Sequence, residues 1–135
     1  MRKLNKLAAA AAVGLFFACS ASVGPVEIES GDMCSFCRMA ISDKRFAAEI
    51  VNADESVLKF DDIGCMLRYR SSHVSAVEPA AVYVADSRSR NWLKAENAHF
   101  IRSATIKTPM GSGIVAFASA ESAGEGAVSF SELSK

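Results

Sequence analysis

The stretch "RFAAEIVNADESVLKFDDIGCMLRYRSS", residues 45 to 72, decides the fold class. Two apolar runs, "RFAAEIV" and "SVLKF", flank the polar "NADE". That pattern predicts two antiparallel strands joined as a hairpin. "DDIGCMLRYRSS" then changes period. Asp61 or Asp62 can cap a helix by accepting backbone N–H bonds. Ile63, Met66, Leu67 and Arg70 fall on one face by helical spacing. Gly64 is out of place in such a helix, where glycine is a weak former. Two strands followed by a helix point to an α+β domain.

Outward from this unit the pattern continues. "AAVYVADS" reads as a buried strand, and "NWLKAENAHFIRSATI" as a turn with a second strand. "KTPMGSG" is a loop in which Pro109, Gly111 and Gly113 surround Met110. "GIVAFAS" is another strand, and "ESAGEGAVSFSELSK" is a polar, glycine-containing helix candidate. The second half echoes the first: Asp86 and Arg88 repeat the spacing of Asp43 and Arg45. The expected architecture is α+β, with two related ββα-type halves around a mostly antiparallel sheet.

The N-terminus sets the compartment. Arg2, Lys3 and Lys6 precede an apolar run from Leu7 to Ala18, and Cys19 follows. The run is too short to span a bilayer and reads as a secretory signal. "FFAC" resembles a lipobox, in which Cys19 is lipidated and becomes the first mature residue; here Phe16 stands where leucine is preferred. Ordinary cleavage near Ala18 or Ala21 is the alternative. The expected organisation is a lipoprotein signal over 1–18, a tether over 19–31 and a metal-binding domain over 32–135. The protein would sit in the periplasm, anchored by lipid to a bacterial membrane, the outer one by preference. The signal removes three basic residues and no acidic one, leaving 12 basic against 15 acidic, a net charge of −3. Such a chain is a poor nucleic-acid ligand.

Sulfur carries the chemistry. "DMCSFCRMA" places Met33, Cys34, Cys37 and Met39 within seven residues. A structural zinc site needs four ligands, and only one C-x-x-C pair is present. Cys65 stands alone, and His73 and His99 are far apart. A thioredoxin-type redox pair sits where a strand enters a helix, and "SGDM" before Cys34 is no strand. A plain disulfide fits an oxidising compartment. The fourth reading is a soft ion, Cu(I) above all, held by thiolate and thioether together. Met110, between Pro109 and Gly111, is awkwardly placed for a core residue, and Met39 lies two beyond a thiol. Met66, beside Leu67, reads as core filler.

"CSFCRMAISDKRFAAE", "FDDIGCMLRY", "VYVADSRSRNWLKAENAHF" and "TPMGSGIVAF", in this order, resemble the NosL family. These are copper-binding lipoprotein chaperones that serve the maturation of nitrous oxide reductase. The resemblance implies an organomercurial-lyase-like topology without catalysis, so the chain is not expected to be an enzyme. It implies one Cu(I), with metal ligands at Cys34, Cys37, Met39 and Met110, and Cys65 and Met66 as a possible further set. It implies delivery through an ABC-type copper maturation complex in the membrane, with the nitrous oxide reductase apoprotein as client. The competing function is an extracytoplasmic thiol–disulfide oxidoreductase using Cys34 and Cys37, with Cys65 a spectator.

The remaining polar residues have simpler readings. Asp61 and Asp62 are expected to cap the helix and to enter a buried salt bridge. His99 is read as packed or at the surface, His73 as an exposed loop residue, and Trp92 and Tyr83 as core. No Ser-His-Asp order, phosphate loop or haem C-x-x-C-H is present.

Overall fold

The computed structural model describes residues 24–73 and 78–135. The expected signal peptide and Cys19 lie outside the described residues. The hairpin comprises β1 (Ala48–Val51) and β2 (Val57–Phe60), paired antiparallel with Val51 opposite Val57. Its turn closes through the Asp54 carboxylate, which accepts from the Ser56 N–H and hydroxyl. The helix α1 (Ile63–Ser72) follows, with Asp62 as its N-cap: Asp62 Oδ1 accepts the Gly64 N–H at 2.6 Å.

β3 (Ala81–Ala85) and β4 (Trp92–Lys94) join the hairpin in one antiparallel sheet of order β2-β1-β3-β4. β5 (His99–Arg102) and β6 (Ile114–Phe117) form a separate antiparallel ribbon. The segment expected to hold one strand, "NWLKAENAHFIRSATI", thus holds two, split by a 3-10 turn at Ala95–Asn97. The mostly antiparallel α+β expectation holds. The first ββα unit is present as read, whereas the strands of the second half are shared between the first sheet and the ribbon. The Asp–Arg echo has a local basis: Asp43 accepts the Arg45 N–H, and Asp86 accepts the Arg88 N–H.

The single C-terminal helix expected over 121–135 is replaced by two one-turn helices, α2 (Ala120–Ala123) and α3 (Phe130–Leu133). Gly124 and Gly126 stand at φ 86° and 80° between them, where a right-handed helix cannot continue. The freed segment places Val128 against Phe100, each N–H donating to the other's carbonyl at 2.9 Å.

β1 is the centre of the molecule, and all four of its residues are buried. By strand alternation Ala48 and Ile50 share one face, and Glu49 and Val51 the other. The first face joins Phe60, Ile63, Met66, Val84 and Phe100 in the core. Each large side chain buried there stabilises the fold by about 1.5–3 kcal/mol. The second face is met by the chain from residue 24 to 32. The Val26 N–H donates to Glu49 Oε2 at 3.0 Å, and Lys59 Nζ, from β2, donates to the Glu27 carbonyl and pairs with Asp32. Ile28 is only 3% exposed. The later part of the expected tether therefore packs on the sheet as a strap.

Candidate metal centre

The strap leads directly into the C-x-x-C turn. Met33 bridges Ala40, the Cys34 N–H donates to the Met39 carbonyl at 2.8 Å, and the Arg38 N–H donates to the Cys34 carbonyl at 3.0 Å. Arg38 takes a left-handed conformation, φ 64°, so the chain can reverse after Cys37. The turn is fixed to the sheet edge by the Ser35 N–H, which donates to the Lys59 carbonyl at 2.8 Å. That contact sets Cys34 beside the end of β2, where the Asp61 N–H points at its sulfur.

The next turn of chain brings the third thiol. Cys65 lies in the first turn of α1, fully buried like Cys34. The sulfurs of Cys34, Cys37 and Cys65 all lie within 4.8 Å of one another. All three cysteines are free thiols, and Cys37 alone is partly exposed. Among the described residues this is the one cluster of three or more histidine, cysteine or acidic side chains positioned to hold an ion.

The three thiols are electrostatically unequal. Burial works against charge on Cys34, but the N–H groups of Asp61, Cys37 and Phe36 face its sulfur, and the net effect holds its pKa below the ordinary thiol value. Burial pushes the Cys37 thiol up; the Met39 N–H opposes this, and the Cys34 sulfur adds to it. Cys65 is pushed up furthest, by burial first and then by charge on Cys34 and Cys37. Negative charge is therefore best tolerated on Cys34, where backbone N–H groups face the sulfur. A soft cation entering the cluster replaces thiol protons, so binding releases protons and depends on pH.

The methionines divide. Met39 is 57% exposed and Met33 51% exposed, both at the mouth of the turn. Met110 packs against the buried cluster that contains Cys34 and Cys65. Its backbone N–H donates to Asp62 Oδ2 at 3.1 Å, so one carboxylate both caps α1 and holds the Met110 loop at the helix end that carries Cys65. Met66 is fully buried in the core. Asp61 accepts the Ser42 N–H at 3.0 Å. Neither Asp61 nor Asp62 enters an ion pair among the described residues, so the expected buried salt bridge is replaced by backbone hydrogen bonds. His73 ends α1, its ring stacked on Tyr69 at 4.1 Å, and His99 lies in β5; neither belongs to the sulfur cluster.

Two features escaped the sequence reading. Cys65 is expected only as a possible further ligand, yet its sulfur lies within 4.8 Å of both others; its signal is its place in the first helical turn after the capping Asp62. The reversal after Cys37 was hidden because an arginine fills a position that glycine usually takes.

An α+β domain with three converging thiols has the donor set of a soft-metal-binding protein. A family model matches residues 25–130, and the chain belongs to the NosL family. Its fold is similar to the crystal structure of the copper chaperone NosL from Shewanella denitrificans, with a TM-score of 0.68 at 20% identity over 82% of this chain and 95% of that one. A search of curated proteins finds no match.

Proposed function

We propose that this protein is an extracytoplasmic Cu(I) metallochaperone that carries copper for the maturation of nitrous oxide reductase. The observation that carries the reading is the convergence of three thiol sulfurs within 4.8 Å, with no histidine or carboxylate in the group. Thiolates exclude the hard ions calcium and magnesium, and a set of three thiols lacks the fourth protein ligand that a structural zinc site needs, while thiolate with thioether suits Cu(I). Family membership and the likeness to a structure titled as a copper chaperone support the same cargo. Cys34 and Cys37 are the principal anchors, and Cys65 joins them at the base. Met39 and Met110 supply thioethers, which are neutral and remain available in acid. Exposed thioethers at the mouth suit exchange, because a neutral ligand leaves without needing a proton. The protein itself is proposed to be held at the periplasmic face of a membrane, the outer membrane by preference, through lipid on Cys19. It would hand copper to an ABC-type membrane complex and on to the reductase apoprotein.

The test is competition for Cu(I) against a chelator of known affinity, with reduced protein under anaerobic conditions. One tightly held copper per chain is expected, weakened at least tenfold by the joint replacement Met39→Leu and Met110→Leu. Reduced protein that leaves all copper with the chelator overturns the reading. Copper content and activity of the reductase in cells lacking the protein test the client, and the mass of the mature N-terminus tests the anchor.

A further inference from the structure

We infer that Cys37 is a modification site for external disulfides, and that Cys34 resolves the adduct, closing a Cys34–Cys37 bond that dismantles the three-thiol cluster. The inference deepens the copper reading by giving its site a redox-controlled off state, but the chemistry needs no metal. It rests on access and proximity. Cys34 and Cys65 are 0% exposed, whereas Cys37 reaches the surface. Around it lie Met33, Phe36 and Met39, which with Val26 are the exposed large apolar side chains among the described residues. A disulfide arriving from solution can therefore touch one sulfur of the three. Thiol–disulfide exchange depends on such access as much as on thiol acidity.

The reaction balances in two displacements. The Cys37 sulfur, as thiolate, attacks one sulfur of the external disulfide; that S–S bond breaks, and one half leaves as a thiolate. The other half stays bonded to Cys37. Cys34, as thiolate, then attacks Cys37 Sγ; the mixed disulfide breaks, and the second half leaves as a thiolate. The two cysteine protons pass to the departing thiolates. Two protein thiols are oxidised to a disulfide, and one external disulfide is reduced to two thiols.

All three sulfurs are near one another, so closeness along the chain selects Cys34 as the resolving group: its bond to Cys37 closes within one turn, whereas a bond to Cys65 ties that turn to α1. It shares with Cys37 the loop closed by the Cys34-to-Met39 and Arg38-to-Cys34 hydrogen bonds. Cys65 is instead fixed on α1, its N–H bonded to the Asp62 carbonyl at 2.9 Å. After closure only Cys65 remains as a thiol in the cluster, so a soft ion loses two of three thiolates. A bound ion occupies the Cys37 sulfur and so protects it from attack.

The experiment treats reduced, metal-free protein with oxidised glutathione, alkylates the remaining thiols and maps peptides by mass spectrometry. Wild type is expected to show a Cys34–Cys37 linkage with Cys65 alkylated, reversed by dithiothreitol. Cys34→Ser should retain the glutathione adduct on Cys37, roughly tenfold or more longer than wild type. Cys37→Ser should react roughly tenfold or more slowly, and circular dichroism on each variant checks that it is folded. Cys37→Ala repeats the slow reaction with a smaller side chain should the serine variant unfold. A Cys37 variant that reacts as fast as wild type, or a linkage that contains Cys65, overturns the inference. Copper competition on reduced wild type is read separately. Failure there removes the cargo and leaves the thiol result standing, while a full complement of thiols after glutathione removes the switch and leaves the cargo.

Discussion

Glu49 sits at the centre of β1, fully buried, with one carboxylate oxygen bonded to the Val26 N–H and Oε1 without a hydrogen-bond partner. Burial pushes its pKa from the ordinary 4.5 up to about 7, against the pull of the Val26 N–H and of Lys59 across the strand pair. The folded chain therefore keeps a proton that the unfolded chain has released between pH 4.5 and 7. Stability contributed by the neutral acid is full below pH 4.5, falls across that window and levels off above about pH 7. At 1.36 kcal/mol per unit, the loss is at most about 3 kcal/mol. With a urea slope of about 1–3 kcal/mol/M this moves the unfolding midpoint by about 1 M or more. Asp32, Asp43, Asp54, Asp86 and Glu132 are shifted down, so their contributions disappear only in stronger acid, below the window. Asp61 is shifted up by burial and contributes with the same sign as Glu49. Its effect survives in Glu49→Gln, so the difference between the two proteins isolates Glu49. Urea unfolding of both at half-unit steps from pH 5 to 8 is the assay. Wild type should weaken as pH rises, and Glu49→Gln should lose most of that slope and overtake wild type near pH 8. Parallel curves with the variant uniformly weaker would refute the reasoning, because Glu49 would then be ionised throughout the range.

Three further outcomes are expected. Gly64→Ala would gain about 1 kcal/mol in helix propensity, but its Cβ would clash with Ser112 Cβ, so a net loss of about 1–3 kcal/mol in thermal or urea unfolding is expected. Asp62→Ala removes the cap of α1 and the anchor of Met110 together; it should cost about 1–2 kcal/mol of stability and should also weaken Cu(I) retention, a combined readout that a cap alone would not give. Cu(I) affinity should fall with acid by about tenfold per pH unit for each thiol proton released on binding, and a flat profile from pH 8 to 6 would mean that thioethers rather than thiols hold the metal.

How much of this was legible in the sequence follows from how local each signal is. The hairpin and α1 were readable because strand alternation, a polar turn and a capping aspartate act within a few residues. The two strands of "NWLKAENAHFIRSATI" were merged because the break between them, Ala95–Asn97, carries no glycine or proline. The C-terminal segment reads locally as one helix, but Gly124 and Gly126 interrupt it, and Val128 is drawn away to pair with Phe100. Gly64 shows why a local reading misleads. By propensity it weakens α1, yet only a residue without Cβ lets Ser112 approach and the Met110 loop close on the helix. The same distinction governs the sulfur cluster. Cys34 and Cys37 declare themselves by spacing, while Cys65 joins them through two non-local facts, the strap on the sheet and the Ser35 bond to the Lys59 carbonyl, and one local one, that α1 begins just after β2 ends. The third thiol is therefore brought in by β2, and a change that detached the C-x-x-C turn from the Lys59 carbonyl should dismantle the cluster without touching any cysteine.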